Sequence, residues 1–135
     1  MEAIKNIILI DDDEAIYHTI RIVLGKPEYD LVYFKDTVSA MQHLKKTRSK
    51  IDLIILDIMM PDQSGLEFLD ALGNRKSTIP VIVISAINTA RAAVEAIKKG
   101  ASDYLTKPFT LDDIKGMIRT HLKAQKRQNK ILFKG

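Results

Sequence analysis

The sequence predicts an α/β fold: an open parallel sheet of five strands, wound with helices on both faces. Two observations predict it. Five short apolar, β-rich runs alternate with segments of helical spacing, and the runs are continuous in Ile, Val and Leu instead of alternating with polar residues. A strand that is apolar at every position is buried on both faces, as in a parallel sheet covered by helices. Five strands are too few for a closed eight-stranded βα barrel, and the chain has no internal repeat or low-complexity segment.

The elements follow in order. The first run, Asn6 to Ile10, leads into a segment with Ile16, Ile20 and Val23 or Leu24 on one helical face, stopped by Gly25 ahead of Pro27. Leu31 to Phe34 precedes Val38, Met41 and Leu44. Leu53 to Leu56 precedes Leu66, Leu69 and Leu72, and Gly73 before Asn74 reads as the stop. Val81 to Ile84 leads to Ala93, Ala96 and Ile97, closing on Lys98, Lys99 and Gly100. Tyr104 to Leu105, the last run, is followed by Leu111, Ile114, Ile118 and Leu122.

A length of 135 residues suits one domain, since ~100 to 150 residues is the commonest size. The domain is expected over 1–122, with 123–135 a basic extension of the last helix or a linker stub. At this length there is no room for a further DNA-binding or enzyme domain, so the chain is read as a stand-alone unit or a fragment. The net charge of +4 divides unevenly: Lys115 to Gly135 holds seven Lys and Arg and no acid, leaving 14 basic against 17 acidic residues before it. That tail is read as a solvated helix or linker, without direct nucleic-acid or membrane contact. No apolar run approaches the ~20 residues of a membrane span. MEAIKNIILIDDDEA lacks the apolar stretch and cleavage site of a signal peptide. The absence of cysteine agrees with a reducing cytoplasm.

In an open α/β sheet, ligands bind beyond the carboxyl ends of the strands. Those ends carry Asp11, Asp12 and Asp13, then Asp57, Ser85, and Thr106 with Lys107. Carboxylates on neighbouring strands repel one another, and Mg2+, which prefers oxygen ligands, is the economical remedy. Asp57 ends a fully apolar strand and is followed by an open loop, which makes it the better nucleophile; a carboxylate accepts a phosphoryl group directly. The metal and Lys107 would neutralise charge on the transferring oxygens, and Ser85 would donate a hydrogen bond to one of them. Each residue also has a plainer role. Asp11 or Asp12 could cap the first helix, Asp57 could sit in a turn, Ser85 could be a cap, and Lys107 a surface charge. Asp13 is assigned to capping. The conjunction at four strand ends favours the site.

LIDDDEAI, LIILDIMMPDQSGLEFL, PVIVISA and GASDYLTKPF resemble the four signature segments of response-regulator receiver domains, over about residues 5 to 122. The resemblance implies a flavodoxin-like (βα)5 fold with strand order 2-1-3-4-5, and a signalling switch that catalyses only its own Mg2+-dependent phosphorylation and dephosphorylation. It implies that Asp57 is the phosphoacceptor for a histidine kinase or phosphotransfer protein. Asp12 would bind Mg2+ directly, Asp11 would assist through water, and the Met59 carbonyl and Asp57 would complete the protein ligands. Ser85 and Lys107 would contact the phosphoryl group, and Lys107–Pro108 would be cis. Tyr104 falls at the family's switch aromatic, coupled to Ser85. The face made by helix four, strand five and helix five would control an output domain or protein. A homodimer through that face is implied too, with Asp103 and Arg119 as candidate cross-subunit ion pairs. Met59 and Ile87 are apolar at two rim positions where many relatives place polar groups, which predicts slow autodephosphorylation.

Two rivals come from other classes. A receiver-like module that binds without phosphorylation is opposed by the complete set of site residues. ILIDDDEA also resembles the Asp-x-Asp segment of haloacid-dehalogenase-like phosphatases, with Asp11 as nucleophile and Asp13 as acid/base. That reading lacks the usual Thr or Val after Asp13, places the Asp112 and Asp113 pair at a helix start, and leaves Asp57 idle. His18, His43 and His121 fall on predicted helices away from the strand ends, where surface or groove positions suffice.

Overall fold

The computed structural model describes residues 3–61 and 63–134, with side chains over 3–61 and 65–123. Five strands, β1 (Lys5–Ile10), β2 (Tyr29–Phe34), β3 (Leu53–Asp57), β4 (Val81–Ser85) and β5 (Asp103–Thr106), pair in parallel in the order 2-1-3-4-5. This is the predicted doubly wound sheet. Its helices are α1 (Glu14–Leu24), α2 (Thr37–Lys46), α3 (Gly65–Asn74), α4 (Ala90–Lys98) and α5 (Leu111–Lys134). Among the described residues, no helix is long and apolar enough to cross a membrane. The side chains of the expected 123–135 extension lie outside the described residues beyond Lys123.

Successive side chains on a strand point to opposite faces, so each apolar run feeds two cores. Ile8, Ile10, Ile54, Leu56 and Val83 meet Ala40 of α2, Phe68, Leu69 and Leu72 of α3, and Ala96 of α4. Ile7, Leu9, Leu53, Ile55, Ile82 and Ile84 meet Ile20 and Leu24 of α1 and Ile114 and Ile118 of α5. β3 and β4 are buried throughout. Each Ile or Leu so buried contributes roughly 1.5–3 kcal/mol over an exposed one.

Several helical expectations shift. Val38, Ile97 and Leu111 are exposed; in α2, Met41 and Leu44 face the core as expected, joined by Ala40 in place of Val38. Gly73 does not end α3, which continues to Asn74; the left-handed position falls on Lys76, at φ 55°. Gly100 does end its helix, at φ 111°, a conformation open to glycine at little steric cost. α4 fully buries Ala96 alone, and Lys99 just beyond it reaches Asp70 of α3 at 3.1 Å. After β3, a small antiparallel ribbon pairs Met59–Met60 with Gln63–Ser64, an element absent from the expectation.

Candidate functional site

The fold brings the carboxyl ends of β1, β3, β4 and β5 to one edge. Asp11 follows β1 directly, fixed by its own N–H bonding to the Phe34 carbonyl at 3.1 Å, and its side chain is fully buried. Asp13 is the N-cap of α1, accepting the Ala15 N–H, as assigned. Capping is therefore taken, and Asp12 is left exposed at the mouth. Asp57 ends β3 with 2% of its surface exposed. Carboxylate oxygens of Asp11, Asp12 and Asp57 lie within 4.8 Å of one another.

Lys107 closes the cluster. Its ammonium is 2.8 Å from Asp11 Oδ2 and 3.4 Å from Asp57 Oδ2, so Asp11 holds it more tightly than the candidate nucleophile does. Its backbone N–H donates to the Ser85 carbonyl at 2.7 Å, and the Lys107–Pro108 peptide is cis, as expected. Burial pushes the Asp11 carboxyl up to about 6, against the Lys107 hydrogen bond and the Asp13 N–H that favour its charge; the neighbouring Asp57 adds to the rise. For Lys107, burial pulls the ammonium down, but the hydrogen bond and charge of Asp11 and the charge of Asp57 overcome it and leave it raised. Three carboxylates lie together and Lys107 reaches two of them, an acidic excess that a hard divalent cation would satisfy with its oxygen preference.

Asp57 Oδ1 accepts the Met59 N–H at 2.9 Å, so the turn role and the chemical role coexist in one side chain. The start of α3 presses close behind it: a Cβ on Gly65 would lie 2.6 Å from the Ile58 Cα and 2.8 Å from the Asp57 carbonyl oxygen. Met59 is exposed and Ile87 half-buried.

Ser85 is fully buried at the end of β4, and its Oγ accepts the Ile87 N–H at 3.1 Å, which leaves the hydroxyl proton to donate elsewhere. Tyr104 is half-buried and its hydroxyl donates to the Ile87 carbonyl at 2.7 Å. Both predicted switch residues thus hold the same residue, one by its N–H and one by its C=O. Ile87 was noted in the sequence for its side chain alone; this backbone role carries no sequence signal.

The histidines depart from expectation in one case. His18 is exposed and His43 packs near Phe34, with ring centroids 5.2 Å apart. His121 is no mere groove residue: its Nε2 lies 3.0 Å from Asp103 Oδ2. Asp103 therefore has a partner within its own chain, and Arg119 is exposed.

The family model for the response regulator receiver domain matches residues 7–119. The chain is 35% identical over 115 residues to the transcriptional regulatory protein KdpE of Staphylococcus aureus, covering 85% of this chain and 48% of that protein. It is 33% identical over 122 residues to the DNA-binding transcriptional regulator NtrC of Rhizobium meliloti, covering 90% of this chain and 25% of that one. It thus spans half or less of the length of these relatives. Among solved structures, a signal receiver domain assigned to a Luxo repressor protein of Vibrio parahaemolyticus superposes with a TM-score of 0.86 at 30% identity, covering 95% of this chain and 97% of that one.

Proposed function

The chain belongs to the response regulator receiver family, and on that premise we propose that it is a phosphorylation-dependent switch whose phosphoacceptor is Asp57. The observation that carries the reading is the set of three carboxylates within 4.8 Å, with Lys107 reaching two of them and Ser85 buried on the next strand.

Asp57 Oδ2 attacks the phosphorus of a phosphohistidine on a kinase or phosphotransfer protein; an O–P bond forms as the N–P bond breaks, and the imidazole leaves. Asp11, Asp12, Asp57 and the Met59 carbonyl would hold Mg2+, which supplies charge neutralisation on the transferring oxygens when bound. Lys107 leaves its contact with Asp11 for a phosphoryl oxygen, and the Ser85 hydroxyl donates to another. The Ser85 shift carries the Ile87 N–H with it, and the Ile87 carbonyl carries Tyr104. The added charge of about −2 biases a two-state equilibrium of the face made by α4, β5 and α5. Going from mostly off to mostly on takes ~5 kcal/mol of differential stabilisation, which charge-assisted bonds from Ser85 and Lys107 supply in part.

Residues 1–122 form the switch in this reading, and 123–135 join it to an output domain or partner in the cytoplasm; a homodimer through α4, β5 and α5 is one form of output. Asp13 caps α1 through one carboxylate oxygen, the role that the phosphatase reading does not assign to it. The test is intact mass after incubation with Mg2+ and acetyl phosphate, for wild type and Asp57→Ala. A gain of about 80 Da that Asp57→Ala abolishes is expected; an unmodified, folded wild type would move the reading to a module that binds without phosphorylation. Sizing with a beryllofluoride mimic reports whether dimerisation is the output.

A further inference from the structure

Hydrogen bonds linked through the Ile87 backbone and the Tyr104 side chain run from the candidate phosphoacceptor site to α5. Ser85 Oγ accepts the Ile87 N–H at 3.1 Å, and the Ile87 carbonyl accepts the Tyr104 hydroxyl at 2.7 Å. The Tyr104 N–H donates to Asp103 Oδ1 at 2.9 Å, and the other carboxylate oxygen, Oδ2, faces His121 Nε2 at 3.0 Å. Since a carboxylate only accepts, that ring nitrogen carries a proton. The His121 side chain is 15% exposed and Asp103 41%, so the contact is partly screened on one side and packed on the other.

This arrangement is asymmetric. α4 and α5 both flank β5, but the switch tyrosine bonds toward α4 through its side chain and toward α5 through Asp103, which holds its backbone. A carboxylate bound at both oxygens cannot follow Tyr104 without pulling on His121. We infer that His121 is a positioning residue: its contact with Asp103 transmits the state of the Ser85 and Tyr104 switch to α5, the helix that continues to Lys134. This rests on the receiver reading and adds to it a route and an end point. Contiguity supports such a route, and an energetic coupling measurement has to establish it. Coulomb attraction in an exposed ion pair is weak; the donor geometry matters more than the charge. The role therefore belongs to the imidazole N–H, and a neutral donor of similar reach should replace it.

The test uses the full chain, uniformly labelled, with amide shifts recorded before and after Mg2+ and beryllofluoride. Wild type should respond at Ser85, Ile87 and Tyr104 and along α5 at Ile118, Thr120 and Leu122. In His121→Leu the response at Ser85 and Ile87 should persist while the α5 response falls at least twofold. His121→Gln, which retains a side-chain N–H, should restore it. Asp103→Ala removes the acceptor for both the Tyr104 N–H and the His121 N–H and serves if His121→Leu does not fold; it should also weaken the α5 response. An α5 response of wild-type size in the Leu and Ala variants, or a Gln variant no better than Leu, overturns the assignment. A wild type silent at Ser85 instead overturns the phosphoacceptor reading itself, a result distinct from a Ser85 signal that reaches α5 without His121.

Discussion

Two buried aspartates mark the two ends of β3, and they are put to opposite uses. Asp52, just before the strand, is 4% exposed; its Oδ2 accepts the Asn6 N–H at 2.8 Å, and the Lys50 ammonium lies 3.9 Å from Oδ1. Asp57, at the other end, is 2% exposed, accepts the Met59 N–H with Oδ1, and faces the Lys107 ammonium 3.4 Å away with Oδ2. The first carboxylate braces β3 to β1 through the Asn6 N–H. The second shares its surroundings with two more acids, an arrangement that costs stability and that structure alone does not need. Burial of an acidic residue is thus no guide to function; what its remaining oxygen faces is.

The contrast breaks most sharply under paired substitution. Asp57→Ala should abolish phosphoryl uptake while leaving the fold intact. Asp52→Ala should keep uptake yet lose about 1 kcal/mol, because the half-buried Asn6 N–H loses its acceptor; intact mass and urea denaturation on the two proteins check both halves. Asp11→Asn comes next. Relieving the crowded site should stabilise the metal-free protein by about 1 kcal/mol at neutral pH, and should remove the Mg2+-dependent gain in melting temperature that wild type shows.

The sign of the pH dependence sharpens the same point. Because the folded Asp11 carboxyl is raised from 3.8 to about 6, the native state binds its proton more tightly than the unfolded chain. Its contribution is fully present below the ordinary carboxylate value and is lost as pH rises through about 6. Stability differences between wild type and Asp11→Asn, measured without metal, should widen in favour of the variant from about pH 4 to 6 and level off above. A difference that is flat across that window would show that Asp11 is not held protonated by the fold. The smallest expected effect concerns water. Met59→Asn with Ile87→Glu should shorten the half-life of the Asp57 phosphoryl several-fold; an unchanged half-life would mean that the apolar rim does not govern hydrolysis.

The sheet was readable because its three central strands carry continuous apolar runs, a signal that two-sided burial writes directly into Ile7 to Ile10, Leu53 to Leu56 and Val81 to Ile84. The helix faces were less so. Val38 and Ile97 keep helical spacing yet stay in water, since spacing marks a stripe without saying where its edge falls. The end of α3 was misplaced because a lysine, Lys76, takes the left-handed turn that Gly73 seemed suited for. Asp11, Asp57, Ser85 and Lys107 were legible as polar punctuation of apolar runs, a consequence of parallel strands ending on one edge. Ile87 and His121 were not: one acts through its backbone, and the other pairs with an aspartate 18 positions away on a different element, outside the reach of any period.

The thin anchoring of α4 has a consequence for how its part of the molecule opens. A helix that fully buries one alanine has little to lose on melting, so its amides should exchange with solvent through local opening well before those of β3 or β4. Such an element need not swing as a rigid rod to change its face. It can pass through a frayed state, and whatever binds that face would then select among partly melted turns as well as between two fixed poses.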